Sequence, residues 1–245
     1  MMHYKEFVEK LIDITENYNT SYMLGQFGQP TTKANITRAV GRQDVNNKPY
    51  LEGANTILDR GFMFDCICLI KGILWGWNGD LTKQYGGAVY KSNGVPDVGA
   101  DSVLNYCHSV STDFSDIKVG EIVWIKGHVG IYVGNNLVVE CTPKWGVTPG
   151  VKYSYLSNKG NSNYPRTKKW DKHGMLPWID YTEKQEVKDT VSLRYQKIEE
   201  VPEWGKEAVQ YFIDNKSLQG DSKGNLDLSR DMLRLLVIFY RCKGD

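Results

Sequence analysis

Cys66 stands where a cysteine can act as a nucleophile. It follows Asp65 near the start of an apolar segment, FMFDCICLIKGILWGW (62–77), which we predict to form one buried helix capped by Asp65. The backbone N–H groups and the dipole at a helix N-terminus favour the thiolate, which is the form that attacks a carbonyl carbon. Cys68 lies two residues further on and faces elsewhere, so we expect it to be a core residue.

A thiol nucleophile needs a base, and the chain has four histidines. His3 precedes the first predicted helix, His108 ends a short predicted helix, and His173 lies in a polar, basic loop. His128 differs from these three because it opens a strand-like segment, GHVGIYVG. We therefore take His128 as the candidate base.

The predicted hairpin after His128 brings a carboxylate close to it. If residues 134–136 form a three-residue turn, Gly130 lies opposite Glu140, and Glu140 shares a sheet face with His128 as its diagonal neighbour. A two-residue turn would move Glu140 to the other face. In the first register, Glu140 is able to orient the imidazole and stabilise its protonated form, as the third member of a catalytic triad does.

The periodicity of the chain predicts the elements that position these residues. Residues 3–18 have the apolar spacing of a helix, 19–43 and 78–100 are turn-rich and predict loops, and 101–109 predicts a short helix. From Gly120 the period changes to two, which predicts strands over 122–125, 129–133 and 137–141. The expected class is α+β.

The remainder of the chain predicts a second, smaller module. Segment 152–172 has six Lys and Arg residues against a single Asp, and we expect it to be a solvated loop. Residues 1–180 form the first predicted domain, 181–190 a polar linker, and 191–245 a small helical module. In that module we predict one helix over 204–213 and another that begins after Ser229, a good N-cap.

Composition excludes several classes of protein. The 245 residues include 30 Lys and Arg and 29 Asp and Glu, so the net charge of +1 gives no reason to expect nucleic acid binding. The sequence contains no run of 18 apolar residues, so we expect no membrane-spanning helix. The N-terminus lacks the apolar core of a signal peptide, so we expect cytoplasmic synthesis. The five cysteines have no disulfide-framework spacing, so we expect free thiols, and we expect no cofactor. We also expect no metal, since a zinc site from Cys66, Cys68, Cys107 and His108 would lack a second ligand pair.

Three motif blocks, FDCICLIKG, GHVGIYVG and VVECTP, resemble those of the NlpC-type papain-like cell-wall peptidases. The resemblance covers roughly residues 15–180. It implies a papain-like domain in which a helix bearing Cys66 packs on an antiparallel sheet. Cys66 would be the nucleophile, His128 the base and Glu140 the orienting residue, although relatives more often have His, Asn or Gln at this third place. Tyr22 in SYMLGQFG is similar to a family Tyr-x-x-Gly block whose hydroxyl helps to form the oxyanion site.

The same resemblance bears on the substrate. Relatives that bind a free stem-peptide amine use the Asp and Ser of Asp-Cys-Ser-Gly, whereas this chain has Asp65 but Ile67 in place of the Ser. We therefore expect action on intact cell wall, with Asp65, Trp124 and Trp145 as candidate substrate-binding residues.

The resemblance implies a peptidoglycan hydrolase that cuts a stem-peptide amide, most simply the bond from D-glutamate to the diamino acid. The C-terminal module resembles those of cell-wall hydrolases from phages of Firmicutes, which implies an endolysin that is released to the wall by a holin-type partner. Wall binding and formation of a homodimer are both open roles for this module. Two other functions stay open: an N-acetylmuramoyl-L-alanine amidase on the same fold, and a non-catalytic wall-binding protein.

Overall fold

A computed structural model describes residues 1–143, 149–160, 162, 166–183, 194–222 and 224–242. The chain divides into two compact units, residues 1–182 and 183–245. Trp145 and most of the predicted linker (181–190) lie outside the described residues.

The first unit contains five α-helices and twelve strands among its described residues. The helices are α1 (Tyr4–Asn17), α2 (Lys33–Arg42), α3 (Asp44–Asn47), α4 (Leu51–Thr56) and α5 (Cys66–Leu74). The strands are β1 (Met2–His3), β2 (Asn19–Tyr22), β3 (Phe27–Pro30), β4 (Gly61–Phe64), β5 (His108–Ser111), β6 (Ile122–Ile125), β7 (His128–Gly134), β8 (Leu137–Thr142), β9 (Gly150–Leu156), β10 (Thr167–Lys168), β11 (Lys172–Met175) and β12 (Ile179–Asp180). Short 3-10 turns lie at Val103–Asn105 and Ser157–Lys159.

These strands form three sheets. The largest has seven strands in the order β10-β9-β8-β7-β6-β11-β5, and all its neighbours are antiparallel except β9 and β10. A second sheet has the order β2-β4-β3, and β1 pairs with β12. The unit is therefore α+β, as the change of periodicity predicts. Its largest sheet is mixed because β9 and β10 are parallel, whereas the resemblance implies an antiparallel sheet.

The segment before Cys66 is a strand, so the prediction of a single helix over 62–77 is wrong. Residues Gly61–Phe64 form β4, which pairs with β2 on one side and with β3 on the other. A short apolar run fits a central strand and a buried helix equally well, and here the pairing partners decide the outcome. Those partners lie within 19–43, where the sequence predicts only loop and the structure has β2, β3 and α2.

Helix α5 is buried on all sides and begins at the candidate nucleophile. Asp65 is its N-cap, as predicted, and all nine residues from Cys66 to Leu74 are buried. Gly72 allows the helix to approach β3 closely, because a Cβ atom at this position would lie 2.4 Å from the carbonyl oxygen of Phe27. The absence of a side chain at Gly72 therefore helps to set the depth at which α5 packs.

The β7–β8 hairpin has the predicted register, which it reaches by a different turn. Asn135 and Asn136 form a two-residue turn with positive φ at both positions, as a type I′ turn requires. Gly134 pairs with Leu137, but an irregularity at Val133 shifts the ladder so that Ile131 pairs with Val139. This bulge restores the register that a two-residue turn alone would have changed. Glu140 therefore stays on the same face as His128.

Two other predictions need correction. Residues 101–109 contain only the 3-10 turn at Val103–Asn105 and the start of β5. The basic segment 152–172 is not a solvated loop: it supplies most of β9 and all of β10, and both Arg166 and Lys168 turn inward. The prediction of a loop over 78–100 is confirmed, since the segment has turns but neither helix nor strand.

The second unit is a small helical module. It contains α6 (Glu203–Asp214) and α7 (Arg230–Cys242), a 3-10 turn at Ile198–Glu200 and an isolated bridge between Tyr195 and Leu228. The hydroxyl of Ser229 accepts a hydrogen bond from the N–H of Met232 at 3.2 Å, which confirms the predicted cap. Across the described residues, no helix is both long enough and apolar enough to cross a membrane.

Gly72→Ala tests whether the close approach of α5 to β3 limits stability. We expect the free energy of unfolding to fall by about 1–3 kcal/mol, because the added methyl group must displace backbone. Gly41→Ala is the matched control, since Gly41 is also helical and a Cβ there meets nothing within 4 Å. Urea unfolding of the full chain measures both variants, and equal stability of the two would contradict this packing role.

Candidate active site

A cleft of about 680 Å³ opens beside the N-terminus of α5. Tyr22, Asp65 and Cys66 contribute to one part of its lining, and Tyr85 and Tyr90 of the long loop contribute to another. The cleft is therefore built jointly by the Cys-bearing helix, the small β2-β4-β3 sheet and the loop over 78–100.

The Cys66 thiol lies against the start of β7. Cys66 is 6% exposed, and the backbone N–H of Val129 lies near enough to the sulfur to lower the pKa of the thiol. Val129 directly follows His128, and the helix that begins at Cys66 packs against the strand that carries the imidazole. The structure thus brings together two sequence-predicted residues that are 62 positions apart.

His128 and Glu140 form a buried pair, as the hairpin register predicts. His128 Nε2 contacts Glu140 Oε2, and both residues are at most 2% exposed. Gly130 lies between them on the ladder, where a Cβ would be 3.2 Å from Cβ of Glu140 and 2.6 Å from Cγ1 of Val138. The lack of a side chain at Gly130 keeps the space around this pair open.

The Glu140 carboxylate also contacts two cationic side chains that the sequence did not predict at this site. Arg166 Nη2 lies 3.0 Å from Glu140 Oε1, and Lys168 Nζ lies 3.3 Å from Glu140 Oε2. Arg166 also donates to the hydroxyl of Thr142 at 3.0 Å. A signal did exist in the basic bias of 152–172, but charge composition does not reveal which residues of such a run turn inward.

The electrostatics favour an ionised Glu140 beside a neutral His128. Burial raises the pKa of Glu140, but the hydrogen bond from His128 and the charges of His128, Lys168 and Arg166 outweigh this and lower the pKa to about 2. Burial lowers the pKa of His128 below 6.5, and Lys168 and Arg166 lower it further against the opposing effect of Glu140. With Glu140 ionised, Nε2 of His128 carries the proton and Nδ1 is the nitrogen that can accept one.

The Cys66 thiol is protonated at rest in this environment. Burial and the Asp65 carboxylate raise its pKa to about 12, although hydrogen bonds from the backbone N–H groups of Val129, Ile67 and Cys66 oppose the rise. The helix N-terminus therefore does not produce a stable thiolate here, contrary to the expectation from position alone. Any nucleophilic role of Cys66 needs a base that removes the proton during attack.

Asp65 has a structural role that uses both of its oxygens. Oδ1 accepts from the N–H of Cys68 and Oδ2 from the N–H of Gly25, both at 2.7 Å. The carboxylate thereby fixes α5 to the turn after Tyr22. The substrate-binding role predicted for Asp65 stays a prediction, although the residue does line the cleft.

Tyr22 ends β2 beside the thiol. Burial raises the pKa of its hydroxyl strongly, and the charge of Asp65 adds to this rise. The hydroxyl consequently keeps its proton and is available as a hydrogen-bond donor. A donor of this kind next to a nucleophile suits an oxyanion site.

The loop over 78–100 is fixed to the protein by polar contacts. Lys71 on α5 forms an ion pair with Asp97 and donates to the carbonyl oxygen of Val98 at 2.9 Å. The hydroxyl of Tyr90 donates to Asp97 at 2.7 Å. At the far end of the loop, the indole of Trp124 donates to the carbonyl oxygen of Ala100 at 3.1 Å. This long insertion between Cys66 and His128 in sequence thus forms a wall of the cleft.

The remaining predicted residues divide as follows. Trp124 is half-buried and supports the loop at Ala100 rather than lining the cleft. Trp145 lies outside the described residues. Cys68 is buried in α5, as expected for a core residue. In the part of the chain that the structure describes, His, Cys, Asp and Glu form no group of three or more that could bind a metal ion.

His173 belongs to a second buried pair and not to a polar loop, which corrects the sequence prediction. It lies in β11, where Nδ1 contacts the Glu121 carboxylate and Nε2 donates to the carbonyl oxygen of Asp113 at 2.7 Å. These contacts tie β11 to the segment before β6 and to the loop after β5. The pair is therefore a fixed structural contact within the seven-stranded sheet.

Glu140→Gln tests how much the fold depends on this carboxylate. We expect the free energy of unfolding at pH 7 to fall by about 3 kcal/mol, because Arg166 and Lys168 lose their counter-charge in a buried site. Glu9→Gln, an exposed change on α1, is the control.

The lowered pKa of Glu140 also predicts that the free energy of unfolding depends on pH. The pKa of Glu140 in the folded chain is about 2 against an ordinary 4.5, so its stabilisation is complete above pH 4.5 and is lost as pH falls toward 2. Urea unfolding across this window should show a steeper loss for the wild type than for Glu140→Gln. Parallel curves would show that the carboxylate is not preferentially ionised in the folded chain.

Comparison with models of known protein families finds no match, and comparison with curated proteins finds no significant relative. Any assignment of function therefore depends on the sequence motifs and on the geometry of the site.

Proposed function

We propose that the first unit is a thiol hydrolase of bacterial peptidoglycan that cleaves a stem-peptide amide, the bond from D-glutamate to the diamino acid. The observation that carries this proposal is the placement of three residues: Cys66 lines the cleft at the N-terminus of α5, this helix packs against the strand that begins at His128, and His128 is paired with Glu140. A nucleophile, a base and an orienting carboxylate are the parts that acyl transfer through a thiol requires.

The protonation states favour general-base catalysis. A neutral His128 accepts the thiol proton at Nδ1 as the sulfur attacks the carbonyl carbon, and the carbonyl electrons move to the oxygen. The Tyr22 hydroxyl is a suitable donor to that oxyanion. The tetrahedral intermediate then expels the amine, which takes the proton from His128 and leaves a thioester on Cys66. Water, deprotonated by the same imidazole, hydrolyses the thioester and regenerates the thiol.

A papain-like NlpC-type fold is part of the same proposal. Its support is the packing of α5 against β7 and β8, with the cysteine at the helix N-terminus and the histidine at the start of β7. The three motif blocks that resemble this family coincide with the elements that build the site: β4 with α5, then β7, then β8.

Peptidoglycan as the substrate derives from the family resemblance, and a separate second unit favours a polymeric target over a small peptide. We propose a phage endolysin whose C-terminal module binds the wall or joins two copies of the chain. Ile67 is buried and apolar at the place where relatives that recognise free amines have a Ser, which favours intact wall.

Mass spectrometry of Gram-positive peptidoglycan after digestion tests the proposal. We expect the wild type to release fragments cut after D-glutamate and Cys66→Ala to release none, because the nucleophile is absent. Cys107→Ala is the matched control, since it removes a thiol that does not line the cleft, and it should retain activity. Separated glycan strands with intact stem peptides would indicate the amidase instead, and no fragments from several wall types would leave a wall-binding protein.

A further inference from the structure

The Glu140 carboxylate contacts three basic side chains, whereas orienting the imidazole requires only the contact with His128. His128 and Lys168 both contact Oε2, while Arg166 contacts Oε1 through Nη2 and Nε. All three basic side chains are at most 15% exposed and the Glu140 side chain is fully buried. One buried negative charge is therefore surrounded by two permanent cations and one titratable group.

Lys168 and His128 also share a second neighbour. The Trp170 ring stacks on the His128 ring at 5.6 Å with an angle of 15° between the planes, and the Lys168 ammonium lies 4.9 Å from the centroid of the same indole. Lys168 therefore contacts the same two groups that contact His128, namely the Glu140 carboxylate and the Trp170 indole. Its side chain is 15% exposed, and its charge lies close enough to the imidazole to lower the pKa of His128.

This placement has a definite electrostatic effect. A carboxylate alone stabilises an imidazolium and favours a thiolate–imidazolium pair at rest. A cation on the same carboxylate oxygen cancels part of that stabilisation and repels the imidazolium directly. The other titratable groups near His128 are Cys66 on α5, Arg166 before β10, and Lys152, which is the cross-strand partner of Glu140 on β9. Of these, Arg166 and Lys152 are cations and act in the same direction as Lys168.

We propose that Lys168 is a positioning residue that, through Glu140 and Trp170, holds His128 in its neutral form so that it serves as a general base. This role rests on the proposed function, because it matters only if His128 acts on Cys66. Arg166 differs from Lys168 in that it also donates to Thr142 at 3.0 Å, which anchors it to the end of β8. A substitution at Lys168 therefore removes a charge and keeps the contact between Arg166 and Thr142, whereas a substitution at Arg166 would lose that contact.

Lys168→Gln tests the proposal because it removes the charge and keeps a hydrogen-bond donor. We expect the acid limb of the pH profile of kcat/KM to move upward by about one pH unit, since the imidazole becomes easier to protonate. Lys169→Gln is the matched control: it changes the neighbouring, exposed lysine and should leave the acid limb in place. Lys168→Arg restores a cation and should return the limb toward the wild-type position.

NMR titration of the His128 ring in the full chain gives a readout that does not need the enzyme to act on any wall. The His128 titration should move upward in Lys168→Gln and stay unchanged in Lys169→Gln. An unchanged titration and acid limb in Lys168→Gln, with only a loss of stability in urea, would overturn the proposal. If the wild type cuts no peptidoglycan, the proposed function fails, and the NMR titration still decides whether Lys168 sets the protonation of His128.

Discussion

One buried carboxylate organises the candidate site. Glu140 is almost inaccessible to solvent, and its two oxygens contact His128, Arg166 and Lys168. A charge in such a place is tolerated only when it is paired and hydrogen-bonded, so the three partners and the carboxylate must be ordered together. The imidazole orientation, the approach of β10 to the sheet and the protonation of His128 all follow from this one requirement.

The cysteine is brought to this cluster by helix packing. Helix α5 begins at Cys66 because Asp65 caps it, and the carboxylate of Asp65 also accepts from the N–H of Gly25 in the preceding turn. Gly72 allows the middle of the helix to contact β3, and the first turn then lies against β7 at Val129. The position of the sulfur is therefore set by the contacts of the first turn and of Gly72, whereas its protonation is set by burial and by the Asp65 carboxylate.

Local patterns predicted the site better than they predicted the fold around it. The alternation in β7 and β8 placed Glu140 beside His128 in one of two possible registers, which the bulge at Val133 selects. The cap at Asp65 was predictable from residue type alone. The loop predicted over 19–43 failed because β2 and β3 are stabilised by their pairing with β4, a long-range contact that periodicity does not encode. The inward orientation of Arg166 and Lys168 was equally unpredictable from the sequence, because it depends on the buried charge of Glu140.

The central claim is that Cys66 forms the covalent intermediate. Peptide mapping by mass spectrometry after an acid quench of a peptidoglycan digestion tests this most directly. We predict an acyl adduct on the peptide that contains Cys66 and none on those that contain Cys107 or Cys141. Release of fragments with no adduct at Cys66, or with an adduct on another cysteine, would contradict the account.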